Sequence, residues 1–333
     1  MVIRILNEKE RLEKNFEKHH MEGFVKESLV SDESFNGRLI RDIISGMTSF
    51  GQYGEQIKNG EWLKKSREPK WLCPFRFNWE IFDLGTFNVE LVSPKEKQND
   101  TAILQLHGGG YIGKINNIYR TFSCIYSNLS MGSDVLSADY RVAPDFPYPF
   151  ALIDAINSYK WLLYRGYKKI IVVGDSAGGG LTLSLCNYLI DKGYTKPIGL
   201  ILMSPWTDLT ISGESIKYNY HQDPLFGESN STLLYNKDYI AGANPTDPYL
   251  SPLYGDFVGF PPTLIQVGSY EMLLDDSTRV AEKAKIAGVD IKLSIYEGMF
   301  HNFQKAMWLT KSSRDAWSEI EGFMEALIKM KNN

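Results

Sequence analysis

The amino-acid sequence predicts an α/β fold in which a mostly parallel central sheet is flanked by helices and carries a helical cap. Three observations predict it. From Thr101 onward, short apolar runs alternate with longer amphipathic stretches, the rhythm of parallel strands joined by helical crossovers. At the centre of that rhythm, Lys169 to Leu185 reads KIIVVGDSAGGGLTLSL, where the β-branched run Ile170 to Val173 stops against a glycine turn and a leucine-rich helix follows. Four such residues in a row mark a strand buried on both faces of a parallel sheet. The alternation is then broken between Ser204 and Pro262, a stretch too long for an ordinary connection.

Taken in order, residues 1–60 are charged, with apolar positions such as Leu12, Phe16, Leu39 and Ile43 at helical spacing. They read as two or three amphipathic helices that must lay an apolar face on the rest of the chain, an N-terminal cap segment. A turn-rich, tryptophan-rich link runs from Glu61 to Pro74. Trp79 to Leu84 and Phe87 to Val92 flank Gly85-Thr86 and predict an antiparallel hairpin at a sheet edge. Strands follow at Ala102 to Leu106, Asp134 to Ala138, Ile170 to Val173, Ile198 to Met203, Thr263 to Val267 and Ile291 to Tyr296. Helices are expected at Thr121 to Met131, Phe150 to Tyr164, after Gly178, at Asp276 to Ala287 and at Arg314 to Met330. Residues 61–333 thus form one domain, interrupted at about 205–260 by an insertion at the end of the sheet where ligands bind.

Composition narrows the function classes. Among 333 residues, 40 acidic side chains face 36 basic ones for a net charge of −4, and no concentrated basic face suggests a nucleic-acid partner. The local run Lys64, Lys65, Arg67 and Lys70 reads as a solvated face. Cys73, Cys124 and Cys186 form neither a disulfide framework nor a metal pattern. No secretory leader is recognisable, and no run approaches the ~20 apolar residues that span a bilayer. The expectation is a cytoplasmic protein without membrane anchoring.

The chemistry gathers around Gly174-Asp175-Ser176-Ala177-Gly178, a G-x-S-x-G turn between strand and helix. A serine there has its hydroxyl pushed out at the top of the sheet, as a nucleophile would need. His107-Gly108-Gly109-Gly110 follows an earlier strand directly, and its uncrowded N–H groups can converge on a developing oxyanion. Ala177, at the N-terminus of the elbow helix, offers another such donor. Of the five histidines, His19 and His20 lie in a charged segment, His107 is placed to brace the glycine loop, and His221 lies in the insertion. His301, in the loop after the strand Ile291 to Tyr296, is left as the base. A carboxylate must fix its tautomer. Glu271, in the loop after Thr263 to Val267, is the preferred acid; Asp275 is its alternative, since Asp275 and Asp276 read as the start and N-cap of the next helix.

Together these stretches resemble the hormone-sensitive-lipase-like branch of the α/β-hydrolases, which includes microbial carboxylesterases. His107 to Gly110 is similar to that family's HGGG loop, Gly174 to Gly179 to its GDSAGG elbow, Asp139 to Pro144 with Asp154 to its D-Y-R-x-A-P segment, and Glu297 to Phe303 to its histidine stretch. The resemblance runs from about Val89 to the C-terminus. Where many relatives carry Asp-Pro-Leu-x-Asp, this chain has Glu271-Met272-Leu273-Leu274-Asp275, which places Glu271 at the acid. The resemblance implies an α/β-hydrolase fold and a carboxylesterase-type serine hydrolase. In it Ser176 attacks a short-chain ester, His301 takes its proton, and Gly108, Gly109 and Ala177 hold the oxyanion. It also implies a small-molecule ester as the partner and no required metal or cofactor, and leaves room for homodimerisation along the edge strand Ile291 to Tyr296. The alternatives are deacetylation of acetylated sugars or amides on the same triad and, because the fold is shared with plant hormone receptors, non-catalytic ligand binding.

Overall fold

In the computed structural model, which describes residues 68–97, 99–227 and 236–330, eight strands form one sheet in the order β1-β2-β4-β3-β5-β6-β7-β8. They are β1 Phe77–Asp83, β2 Asn88–Pro94, β3 Thr101–Leu106, β4 Asp134–Asp139, β5 Lys169–Asp175, β6 Gly199–Met203, β7 Thr263–Gly268 and β8 Ile291–Tyr296. β1 pairs with β2, and β2 with β4, antiparallel; every other pairing is parallel. The expected hairpin therefore sits at one edge and the expected parallel sheet makes up the rest. The helical cap segment expected at residues 1–60 lies outside the described residues.

Period-two alternation explains why both faces of β3 and β5 are apolar. Leu104, Ile170 and Val172 face one core with helices α2 (Phe150–Tyr164), α3 (Ala177–Asp191) and α6 (Leu274–Ile286). Ile103, Ile171 and Val173 face the other, against α1 (Asn117–Leu129) and α7 (Lys311–Lys329). Every residue of β3 is buried, as is every residue of β5 after Lys169. Among the described residues no helix is long and apolar enough to cross a membrane.

Several helices begin earlier than their apolar spacing suggests, because polar side chains outside the apolar pattern cap them. The Asn116 side chain accepts from the Ile118 amide and starts α1, and Thr310 accepts from the Ser313 amide and starts α7. α6 starts at Leu274, so Asp275 and Asp276 occupy its first turn and neither is its N-cap. Their carboxylates reach into the 204–262 stretch. Asp276 Oδ2 accepts from the Thr207 and Asp208 amides at 2.6 and 2.9 Å, and Asp275 Oδ2 accepts from the Ser215 amide at 2.9 Å. Its described residues include two short helices, α4 (Ser215–Tyr218) and α5 (Asn236–Ile240), and a 3-10 turn at Pro252–Tyr254. The Tyr239 carbonyl of α5 accepts from the Tyr148 amide at 2.8 Å, so the stretch is tied to the loops at the C-terminal ends of the strands.

Candidate active site

β5 delivers Ser176 into a sharp corner with φ 52 and ψ −121, a conformation that costs a non-glycine residue about 1–3 kcal/mol. Neighbours hold it there. The Ser176 amide donates to Met203 O at 2.9 Å, and its carbonyl accepts from the amides of Trp206, Gly179 and Gly180 at 2.9, 3.0 and 3.1 Å. The corner is also packed too closely for side chains. A Cβ on Gly178 would stand 2.0 Å from Leu106 O, and one on Gly174 would stand 2.2 Å from Gly178 O. Gly178→Ala is therefore expected to destabilise the protein by about 3 kcal/mol or to leave it insoluble, measured by thermal denaturation beside the wild type.

Ser176 Oγ lies 2.9 Å from His301 Nε2, and His301 Nδ1 lies 3.0 Å from Glu271 Oε2. With the Nδ1 proton donated to the carboxylate, Nε2 is the acceptor for the serine hydroxyl. His301 follows β8 and Glu271 follows β7, so strand ends bring Ser176 to a histidine 125 positions further along the chain and, through it, to the acid. All three are buried, with Glu271 at 0% exposure. The other Glu271 oxygen, Oε1, accepts from Ser204 Oγ at 2.7 Å and from the Gly268 amide at 2.6 Å. Ser204 Oγ in turn accepts from the Asn302 amide at 3.1 Å, which fixes the residue beside His301. Asp275 does not meet His301: it binds the Ser215 amide and, at 3.1 Å, the Tyr218 hydroxyl.

The glycine loop corrects one expectation. The Gly108 amide donates to Asp175 Oδ1 at 2.8 Å and to the Tyr119 hydroxyl at 3.0 Å, so it cannot also hold an oxyanion. After it, Gly109 (φ 123) and Gly110 (φ 62) take backbone conformations that redirect the loop. The amides of Gly109, Gly110 and Ala177 have no hydrogen-bond partner among the described residues. His107 braces the loop as expected. Its Nδ1 lies 2.8 Å from Gly108 O, its ring stacks on Tyr140 at 4.1 Å, and burial lowers its pKa to about 4, which keeps it neutral. The Tyr140 hydroxyl donates to His107 O at 2.6 Å, while Arg141 and Asp154 form a bidentate pair beneath.

The profile of the alpha/beta hydrolase fold matches residues 103–305. An esterase of Acinetobacter venetianus is 38% identical over 229 residues, covering 68% of this chain and 75% of that protein. The chain belongs to the hormone-sensitive-lipase-like branch of the α/β-hydrolases. An acetyl-hydrolase of Streptomyces hygroscopicus is 34% identical over 67% of the chain and 74% of its own length. The crystal structure of an esterase from the bacterial hormone-sensitive lipase family superposes with a TM-score of 0.75 at 30% identity, covering 90% of this chain and all of that one. This hydrolase is accordingly a carboxylesterase-type enzyme that acts on esters.

Other residues at the hydrolase's site are not visible in its motifs taken singly. Phe226, from the 204–262 stretch, packs its ring 4.5 Å from that of His301. Asn219 Nδ2 donates to the carbonyls of Ser269 and Glu271 at 2.9 and 2.8 Å, and Asp223 accepts from the Met272 amide at 2.9 Å. This segment thus clamps the acid loop while covering the histidine. Ser204 stands at the end of β6 and was detectable by its place, since residues at the carboxyl ends of parallel strands line the ligand crevice. Among the described residues no group of three or more His, Cys, Asp or Glu side chains is arranged to hold a metal ion.

Proposed function

We propose that this hydrolase cleaves short-chain carboxylic esters through an acyl-enzyme formed on Ser176. The observation that carries the reading is the unbroken path from Ser176 Oγ through both ring nitrogens of His301 to the Glu271 carboxylate, at 2.9 and 3.0 Å. Ser176 Oγ attacks the carbonyl carbon as its proton passes to His301 Nε2. Glu271 stabilises the imidazolium and holds its tautomer. Negative charge growing on the carbonyl oxygen is received by the amides of Gly109, Gly110 and Ala177, the last at the positive end of α3. Collapse breaks the ester C–O bond, and the leaving alcohol takes the proton from His301. Water then attacks the acyl-enzyme with His301 again as base, the acid departs, and the Ser176 proton returns. Bonds and protons balance with one water per ester.

The choice of short acyl groups is supported by the names of two relatives, an acetyl-hydrolase and an ethyl acetate hydrolase of Pseudomonas putida. We assign the described residues of the stretch at about 205–260 to a cap over the site; Phe226, seated on His301, supports this. The edge strand β8 is the surface we assign to any pairing of two copies.

A p-nitrophenyl ester series tests the reading. The expected result is Ser176-dependent turnover with kcat/KM greatest on acetate to butyrate and falling as the chain lengthens. A maximum on long acyl chains would overturn the substrate class, and turnover that survives Ser176→Ala would overturn the mechanism. The relatives named acetyl-hydrolase favour a second reading, acetyl removal, for which acetylated sugars or amides are the substrates we would test. A kcat/KM on acetylated xylose well above that on a simple alkyl acetate would select it.

A further inference from the structure

Asp175, the residue before Ser176, is buried and receives four donors from three separate parts of the chain. Its Oδ1 accepts from the Gly108 amide at 2.8 Å. Its Oδ2 accepts from the Tyr119 hydroxyl at 3.0 Å, from Asn302 Nδ2 at 3.0 Å and from the Lys305 ammonium at 2.9 Å. Lys305 Nζ also donates to the Tyr119 hydroxyl at 3.1 Å. That hydroxyl therefore accepts from Gly108 and Lys305 while donating to Asp175, which uses its full bonding capacity. Gly108 opens the glycine loop, Tyr119 lies on α1, and Asn302 and Lys305 lie just after His301.

We propose that Lys305 is a positioning residue: by neutralising the buried Asp175 carboxylate, it holds the nucleophile corner, the glycine loop and the histidine loop in one geometry. Charge makes the lysine necessary. Burial opposes the ionised form of Asp175, but the Lys305 charge and hydrogen bond, joined by the hydrogen bonds from Gly108 and Tyr119, outweigh it and hold the carboxyl below its usual range. The other titratable groups around Asp175 are Tyr119, Tyr126 and Tyr140, which carry no charge, and His107, which burial keeps neutral. Lys305 is the cation paired with Asp175 among the described residues. Without it, a carboxylate at 4% side-chain exposure has no counter-charge and tends to take up a proton. A protonated Asp175 carries a donor where only donors now converge, so one contact must part. If the Gly108 contact loosens, the amides of Gly109 and Gly110 move with it, and oxyanion donors act only at well-fixed positions.

The inference rests on Ser176 being the nucleophile. Its test is steady-state kinetics of Lys305→Gln and Lys305→Arg on p-nitrophenyl butyrate across acidic to alkaline pH, together with the rate of Ser176 labelling by a fluorophosphonate. Lys305→Gln keeps a polar chain but removes the charge. Its kcat should fall about 10–100-fold with KM little changed, and labelling should slow in parallel. The sign of the pH effect follows from Asp175: losing the cation raises its pKa, so activity should be lost first as pH falls, moving the acid limb of kcat to higher pH. Lys305→Arg should recover most of the rate. Adding Asp175→Asn to Lys305→Gln should abolish the shift of the acid limb without restoring the rate, because an amide does not titrate yet still sets an NH₂ where only donors converge. Wild-type kcat and pH profile in Lys305→Gln would overturn the inference, as would a lowered melting temperature with unchanged kinetics. Turnover and labelling that survive Ser176→Ala would instead defeat the mechanism on which it stands.

Discussion

Ser176→Ala is expected to lower kcat by about 10⁴–10⁶-fold and to abolish fluorophosphonate labelling, while leaving the melting temperature near that of the wild type. The hydroxyl is the group that would bond to the acyl carbon, and removing it leaves only whatever catalysis the oxyanion donors provide to water. The fold should tolerate the change because alanine keeps the Cβ and inherits the same four backbone hydrogen bonds at Met203, Trp206, Gly179 and Gly180. Burst kinetics with p-nitrophenyl acetate and denaturation of both proteins separate the two effects. Loss of folding together with loss of activity would show that the hydroxyl has a structural duty the geometry does not assign to it.

Glu271→Gln should cost about 10³–10⁴-fold in kcat, and Asp275→Asn should change kcat by less than about threefold. The reason lies in the donors that already surround Glu271. Ser204 Oγ and the Gly268 amide both point at Oε1, so the carbonyl oxygen of a glutamine would turn to them and leave its NH₂ facing His301 Nδ1. That pairing demands a bare Nδ1 and a protonated Nε2. The ring would then present a donor to Ser176 and could not take its proton. Asp275 contacts Ser215 and Tyr218, so its substitution should register mainly as stability, about 1–2 kcal/mol. Measuring kcat and the melting temperature for both variants distinguishes the two carboxylates.

The residues that could be read from the sequence are those fixed by their place on a parallel sheet. Ser176, Glu271 and His301 each follow a strand whose apolar run announces it, and the carboxyl ends of parallel strands lie along one edge of the sheet. The hairpin and the alternating sheet were legible for the same reason. The direction of each amide in the glycine loop was not, because a run of glycines leaves φ undetermined; it is Asp175 and Tyr119, distant in sequence, that claim Gly108 and leave Gly109 and Gly110 open. Helix starts were missed where a single polar side chain sets them, as at Asn116 and Thr310. Lys305 carries no local signature, since its partners are defined only once separate loops meet.

The corner at Ser176 has one more consequence. Its unfavourable backbone angles are held by hydrogen bonds to β6, to the segment after it and to α3, none of which involves a substrate. The conformation is therefore imposed when the chain folds, and an arriving ester meets a nucleophile already aimed. The work of shaping that corner is done once per molecule and not repeated at each turnover.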